Sequence, residues 1–277
     1  MKRVPIAAFV LACIIQLPVS AQSFESLYQQ GLTQVKTGDV SGAIGSFSRA
    51  VQLYPQSFAA QYNLGLALRQ SGQVQESASA FYRAIQLDPS YALTYANLGA
   101  ALLEGNNLKQ SREYLSRAIA LDPKLGMAHY NLGLVQTLEG DIKGATNSFQ
   151  KATELNPNLP EPYYHLGLAY QRTKWNRGSI AAFRKAVQVN PNYADAFYAL
   201  GTVLYSDGDW LNAIAAFRSA TQLNPKFANA YYGAGMTFLK QKNYAEAKRV
   251  LEFAKDEYQR SGNGVWVDRV NGILSKI

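Results

Sequence analysis

Residues 58–91 read FAAQYNLGLALRQSGQVQESASAFYRAIQLDPSY, and residues 92–125 read ALTYANLGAALLEGNNLKQSREYLSRAIALDPKL. Laid over each other, Leu64-Gly65 falls on Leu98-Gly99, Ser77 on Ser111, Ala84 on Ala118 and Asp88-Pro89 on Asp122-Pro123. Each stretch holds two apolar patterns at helical spacing, separated by a short turn. Proline has no amide hydrogen and its ring pushes the preceding residue out of the helical region, so each Asp-Pro step ends the second helix. The stretch therefore reads as one helix pair.

The same period runs outward in both directions. Glycine recurs at Gly31, Gly65, Gly99, Gly133, Gly167, Gly201 and Gly235, and alanine at Ala50, Ala84, Ala118, Ala152, Ala186, Ala220 and Ala254. Proline recurs at Pro55, Pro89, Pro123, Pro157, Pro191 and Pro225, each step again 34 residues. Seven units follow: 24–57, 58–91, 92–125, 126–159, 160–193, 194–227 and 228–261. Glycine and alanine at fixed places imply helix axes too close for a larger side chain, with a phenylalanine filling the wedge between one pair and the next. One pair cannot bury its apolar faces alone, so neighbours must stack into a superhelical rod whose stability is spread along the array.

These residues resemble the tetratricopeptide repeat (TPR) family. Its leucine-glycine pair stands at Leu64-Gly65, Leu98-Gly99, Leu132-Gly133, Leu166-Gly167 and Leu200-Gly201. Its small residue in the second helix stands at Ala43, Ser77, Ser111, Ala145, Ser179, Ala213 and Ala247, followed by Phe47, Phe81, Phe149, Phe183 and Phe217. Leu115 and Leu251 replace that phenylalanine, Gln30 and Ala234 replace the leucine, and Gln259 stands where a seventh proline belongs. The resemblance implies an all-α, right-handed superhelical solenoid of antiparallel helix pairs. After the break Gly262-Asn263-Gly264, residues 265–277 carry Trp266, Val267, Val270, Ile273, Leu274 and Ile277 on one helical face, expected to cap the last pair.

The start of the chain reads differently. Lys2 and Arg3 precede an apolar stretch, Val4 to Leu17, and Val19-Ser20-Ala21 suits signal peptidase, so 1–21 is expected to be a signal peptide. The protein is then exported, to a periplasm or comparable lumen. A retained anchor, or a lipoprotein acylated at Cys13, is the alternative. Cys13 is the one cysteine of the chain, so disulfide and thiol chemistry have no place in the mature protein. The net charge of +8 loses Lys2 and Arg3 with the leader, and +8 − 2 = +6 remains, scattered through the repeats without a basic block. Nucleic acid is not an expected partner of such an exported surface, and a monomer is expected. Association with a membrane surface is compatible with the charge but is not the expectation.

No catalytic constellation emerges. His129 and His165 occupy unlike positions, His129 at an aromatic packing place, and no phosphate loop, nucleophile elbow or metal-ligand spacing occurs. The repeats leave no room for a catalytic domain, so no enzyme, cofactor or metal is expected. The first helix of each pair, which in TPR proteins faces the concave groove, carries the remaining signal. Its fifth position holds Tyr28, Tyr62, Ala96, Tyr130, Tyr164, Tyr198 and Tyr232, and its sixth Gln29, Asn63, Asn97, Asn131 and His165. An amide every 34 residues can donate to and accept from a peptide bond at once, which suits an extended chain of any sequence. The arrangement resembles the asparagine ladder of O-linked N-acetylglucosamine transferases; the same residues also serve packing and helix solubility. Arg69 and Arg172 lie on the groove side, free to grip acidic side chains or simply solvated. The expected function is a non-enzymatic scaffold holding a protein or peptide segment, in assembly of envelope or membrane complexes. The alternative is an adaptor presenting glycan or peptidoglycan to a separate enzyme. On this reading the three asparagines face solvent, and replacing them leaves stability unchanged.

Overall fold

The computed structural model describes residues 23–277, so the expected leader 1–21 and the Cys13 acylation site lie outside the described residues. Among these residues there are fifteen α-helices and no strand. First helices are α1 (Phe24–Thr37), α3 (Phe58–Gln70), α5 (Ala92–Glu104), α7 (Gly126–Leu138), α9 (Pro160–Arg172), α11 (Ala194–Asp207) and α13 (Ala228–Lys240). Second helices are α2 (Val40–Leu53), α4 (Val74–Leu87), α6 (Leu108–Leu121), α8 (Ile142–Leu155), α10 (Asn176–Val189), α12 (Trp210–Leu223) and α14 (Tyr244–Arg260), and α15 (Gly264–Leu274) closes the chain.

Local chemistry sets each corner. Between α1 and α2, Gly38 takes the left-handed conformation at φ 79° and the Asp39 carboxylate caps α2 by accepting from the Gly42 amide. Between pairs, the residue before proline is an Asx turn: Asp88, Asp122, Asn190 and Asn224 each accept the amide two residues on, at 2.9, 2.9, 2.9 and 3.1 Å. Where Gln259 replaces that proline, α14 runs 17 residues against 14 in every other second helix.

Packing within a pair turns on the recurring glycine. A Cβ built on Gly31, Gly65, Gly133, Gly167 or Gly201 would come within 2.5 to 2.8 Å of the ring of Phe47, Phe81, Phe149, Phe183 or Phe217. On Gly99 and Gly235 it would meet Leu115 and Leu251 at 2.6 Å. The rings are buried, so the phenylalanine presses on its own pair's glycine as well as wedging toward the next pair, where Phe47 clusters with Ala67. Where the second helix carries serine, a further bond locks the same spot: Ser77, Ser111 and Ser179 donate to the carbonyls of Gly65, Gly99 and Gly167 at 2.8, 2.7 and 2.8 Å.

Contacts of weight join only helices adjacent or next-but-one in the chain, as a linear stack requires. First helices of neighbouring pairs touch (α3 with α5, α5 with α7, α9 with α11, α11 with α13), whereas second helices make no comparable contact. The stack therefore curves with the first helices inside, and their exposed faces line the groove. At the far end, fully buried Val270 of α15 joins Leu251, Ala254 and Tyr258, and Trp266 stacks on Tyr258 at 5.3 Å, so α15 covers the last pair. Ile277, expected on that face, lies beyond the helix and is exposed.

Two outcomes follow. In urea unfolding, Gly167→Ala loses about 1–3 kcal/mol by overpacking Phe183, Phe183→Ala loses about 3–5, and the double variant loses less than their sum. Deletion of 265–277 strips protection in hydrogen exchange from α13 and α14 while leaving α3 to α6 unaffected, because each pair touches only its neighbours.

Candidate functional site

The sixth position of a first helix sits against the preceding pair, beside its phenylalanine or its fifth-position tyrosine where these are present. His165 shows this directly, with its ring 5.5 Å from Phe149, 5.7 Å from Tyr130 and 5.3 Å from Tyr164. At the equivalent place a Cβ on Gly233 would meet Phe217 at 2.6 Å. An asparagine there faces a tyrosine hydroxyl: Asn63 Nδ2 donates to Tyr28 and Asn97 Nδ2 to Tyr62, both at 3.1 Å. The second hydrogen of each amide goes to its own helix, to the carbonyls of Ala59 at 2.8 Å and Leu93 at 3.0 Å.

These bonds correct the solvent-facing reading of the asparagines. Asn97 is 4% exposed, and its Oδ1 also accepts from Arg69 Nη1 at 3.3 Å, so its hydrogen-bonding capacity is spent inside the protein. Arg69 itself is tied across pairs to Glu104 at 2.9 Å. Asn63 keeps its carbonyl oxygen open while both amide hydrogens are taken. Asn131 differs because Ala96 supplies no hydroxyl. At 8% exposure its amide has no hydrogen-bond partner among the described residues, yet its polar atoms still reach solvent, the fully enclosed unpaired ones being on Gln61 and Thr94. One of the three ladder amides is thus left wholly open.

The tyrosines divide the same way. The hydroxyl oxygens of Tyr28 and Tyr62 accept from the next pair's asparagine, while Tyr130, Tyr164, Tyr198 and Tyr232 face His165, Ala199 and Gly233, or the α15 cap, and make no hydrogen bond among the described residues. Burial raises the Tyr130 phenol to about 12, with the Glu161 carboxylate adding to the shift, and raises Tyr164 beside Asp195. The His165 ring is pushed below its ordinary value by burial, against a smaller opposing pull from Glu161. A cavity of about 280 Å³ lies between α11 and α13, with Gly233 on its wall beside Tyr198, Thr202, Tyr205, Asn229, Tyr232 and Met236. A second, of about 130 Å³, is lined by Thr137, His165, Leu168, Gln171 and Arg172, and Arg172 makes no ion pair among the described residues. A wider hollow of about 650 Å³ lies outside the groove between α4 and α6, beside Tyr82, Arg83 and Tyr114.

Thr202, Tyr205, Asn229 and Met236 escaped the sequence reading because they fall at positions where residue type changes from pair to pair. His129, set aside as packing, hydrogen-bonds the Pro123 carbonyl at 3.1 Å, as Tyr95 does to Pro89 at 3.2 Å. In α3, α5 and α7 the fourth position thereby ties the first helix to the turn before it, through Gln61, Tyr95 and His129. No group of three His, Cys, Asp or Glu side chains converges on a metal site, and no helix is long and apolar enough to cross a membrane, among the described residues.

The division predicts opposite stabilities for like substitutions. Asn97→Ala strands the Tyr62 hydroxyl and Arg69 and costs about 1–3 kcal/mol, whereas Asn131→Ala is neutral or stabilising by up to about 1 kcal/mol, since it removes an unpaired amide. Thermal unfolding of the two single variants distinguishes them.

Comparison with known proteins agrees with this architecture. Two models described as tetratricopeptide repeat match residues 28–92 and 68–130, and one described as TPR repeat matches 137–174. A model of anaphase-promoting complex, cyclosome, subunit 3 matches 172–254. No curated protein matches the chain. Among solved structures, YrrB, described as a TPR protein with an unusual peptide-binding site, is 26% identical over 69% of this chain and 99% of its own, with a TM-score of 0.62. The MamA protein is 24% identical over 63% of this chain and 95% of its own, at 0.59. Pseudomonas aeruginosa pilF is 19% identical over 75% and 94%, at 0.66. On these matches and on its solenoid of paired helices, the chain is a tetratricopeptide-repeat protein.

Proposed function

We propose that the chain is an exported, non-enzymatic scaffold whose groove holds an extended polypeptide segment, serving assembly of envelope or membrane complexes. Each helix pair is one repeat in this reading, seven in all, and residues 1–21 are the removed leader. The observation that carries it is the open amide of Asn131 beside a row of free tyrosine hydroxyls along α7, α9, α11 and α13. The Asn131 amide has no partner within the described residues and its polar atoms reach solvent, so a peptide group can engage both its donor and its acceptor. Tyrosines supply flat apolar area with a polar tip at low entropic cost. The groove is preformed by stacked helices, so little ordering falls on the scaffold when a segment binds. The peptide-binding site described for YrrB supports the class of ligand.

The test presents the full chain both to a random decapeptide library and to a glycan array. Peptides are enriched, and Asn131→Ala weakens the selected ones about fivefold, the worth of one hydrogen bond of roughly 1 kcal/mol. Tyr82→Ser, on the outer face, leaves them unchanged. Enrichment on the glycan array alone replaces this reading with the adaptor one.

A further inference from the structure

Within the groove, one stretch has a chemistry of its own. Glu161 stands one turn before Tyr164 on α9, and Asp195 in the first turn of α11 follows Tyr193 by two residues, so the two carboxylates share this stretch with the rings of Tyr164 and Tyr193 and, on α7, Tyr130. The Tyr164 and Tyr193 rings lie 5.1 Å apart, and Tyr164 is 5.3 Å from His165. None of the three hydroxyls has a hydrogen-bond partner among the described residues, in contrast to Tyr28 and Tyr62. The groups acting on them electrostatically are carboxylates and other tyrosines, with no cation among them. Neither Glu161 nor Asp195 forms an ion pair among the described residues, while Glu104, Glu139, Glu154, Glu246 and Glu257 all do. Arg172, at the other end of α9, is eleven residues from Glu161, roughly 16 Å along a helix.

A carboxylate in the first turn of a helix has a structural use, since it favours the helix dipole. That use accounts for Glu25, Glu161 and Asp195 singly. It does not account for two neighbouring first helices carrying one each, where α3, α5, α7 and α13 carry none, nor for the free hydroxyls gathered between them. The stretch is also out of keeping with its surroundings, carrying two exposed carboxylates on a chain of net charge +8. The nine-tenths-buried, unpaired amide of Asn131 lies next to Tyr130 on the same helix, at the edge of this stretch.

We propose that the groove across α7, α9 and α11 receives the cationic side chain of a lysine- or arginine-bearing segment, paired with Glu161 and Asp195 and walled by Tyr130, Tyr164 and Tyr193. This assignment rests on the polypeptide-groove reading and gives it a ligand class. An ammonium offers three donors and a guanidinium five, with no acceptor, which matches a groove surface of carboxylates and phenol oxygens. The aromatic faces attract the same cation and cover its aliphatic stem. Asn131 then holds the backbone of that segment on the N-terminal side, so charge selects the side chain and the amide selects only a peptide.

The experiment selects decapeptides from a random library on the full chain and, in parallel, on Glu161→Gln/Asp195→Asn, a pair of isosteric changes at exposed positions. Lysine and arginine should be enriched several-fold among peptides recovered on the parent chain, with affinities that fall as salt rises. The double variant should still select peptides, without that enrichment, and should bind the parent's best lysine peptide at least tenfold more weakly at an unchanged melting temperature. Peptides recovered from the parent without basic enrichment, or basic enrichment surviving in the double variant, overturn the cation assignment and leave the groove reading standing. Recovery of no enriched peptide from the parent chain overturns both.

Discussion

An aromatic or leucine side chain pressed against a glycine is the contact on which the rest of the molecule depends. It brings the two helices of each pair together at a distance that a single added methyl group would forbid, at 2.5 to 2.8 Å from the facing ring or leucine. Everything beyond the pair follows from that closeness. With the axes fixed, the other flank of Phe47 meets Ala67 of the next pair, and the sixth residue of a following first helix, as at His165, comes to rest over ring and tyrosine together. Repeated along the chain, the same contact yields a stack that buries its apolar faces pair by pair, with α15 ending it.

The sixth position shows how one geometric place can do different work. With an asparagine, and a tyrosine in the pair before, it becomes a clasp between neighbouring first helices, as in Asn63 with Tyr28 and Asn97 with Tyr62. With alanine in place of the tyrosine, at Ala96, the next asparagine loses its partner and stands open at Asn131. With histidine it becomes a ring packed among rings, and with glycine it lets Phe217 come close and lines a cavity. The N-terminal part of the groove is therefore satisfied internally. Free hydroxyls, unpaired carboxylates and small cavities collect from α7 onward.

The helix pairs and the closing helix were legible in the sequence because glycine, proline and alanine punctuate a strict period, and each has a steric reason to stand where it does. The groove was legible only as a row of residue types. Periodicity reveals that Asn63, Asn97 and Asn131 are equivalent in place, but their different fates depend on what the preceding pair offers, a relation that spans 35 residues in the Asn97–Tyr62 bond. The carbonyl bonds of Ser77, Ser111 and Ser179 were hidden for a similar reason, since serine there reads simply as a small residue interchangeable with alanine. Arg69, read as free to grip a ligand, is engaged by Glu104, whose approach no spacing rule signals.

The central claim is that the groove is divided, closed by internal clasps over α1 to α5 and open to a ligand from α7 to α13. Tyrosine-ring NMR of the chain, with and without a selected peptide, tests it most directly. The account predicts shifts at Tyr130, Tyr164 and Tyr198, with Tyr28 and Tyr62 unmoved. Equal shifts at Tyr28 and Tyr62 would contradict it, because a ligand would then be displacing the clasps that are argued to seal that half.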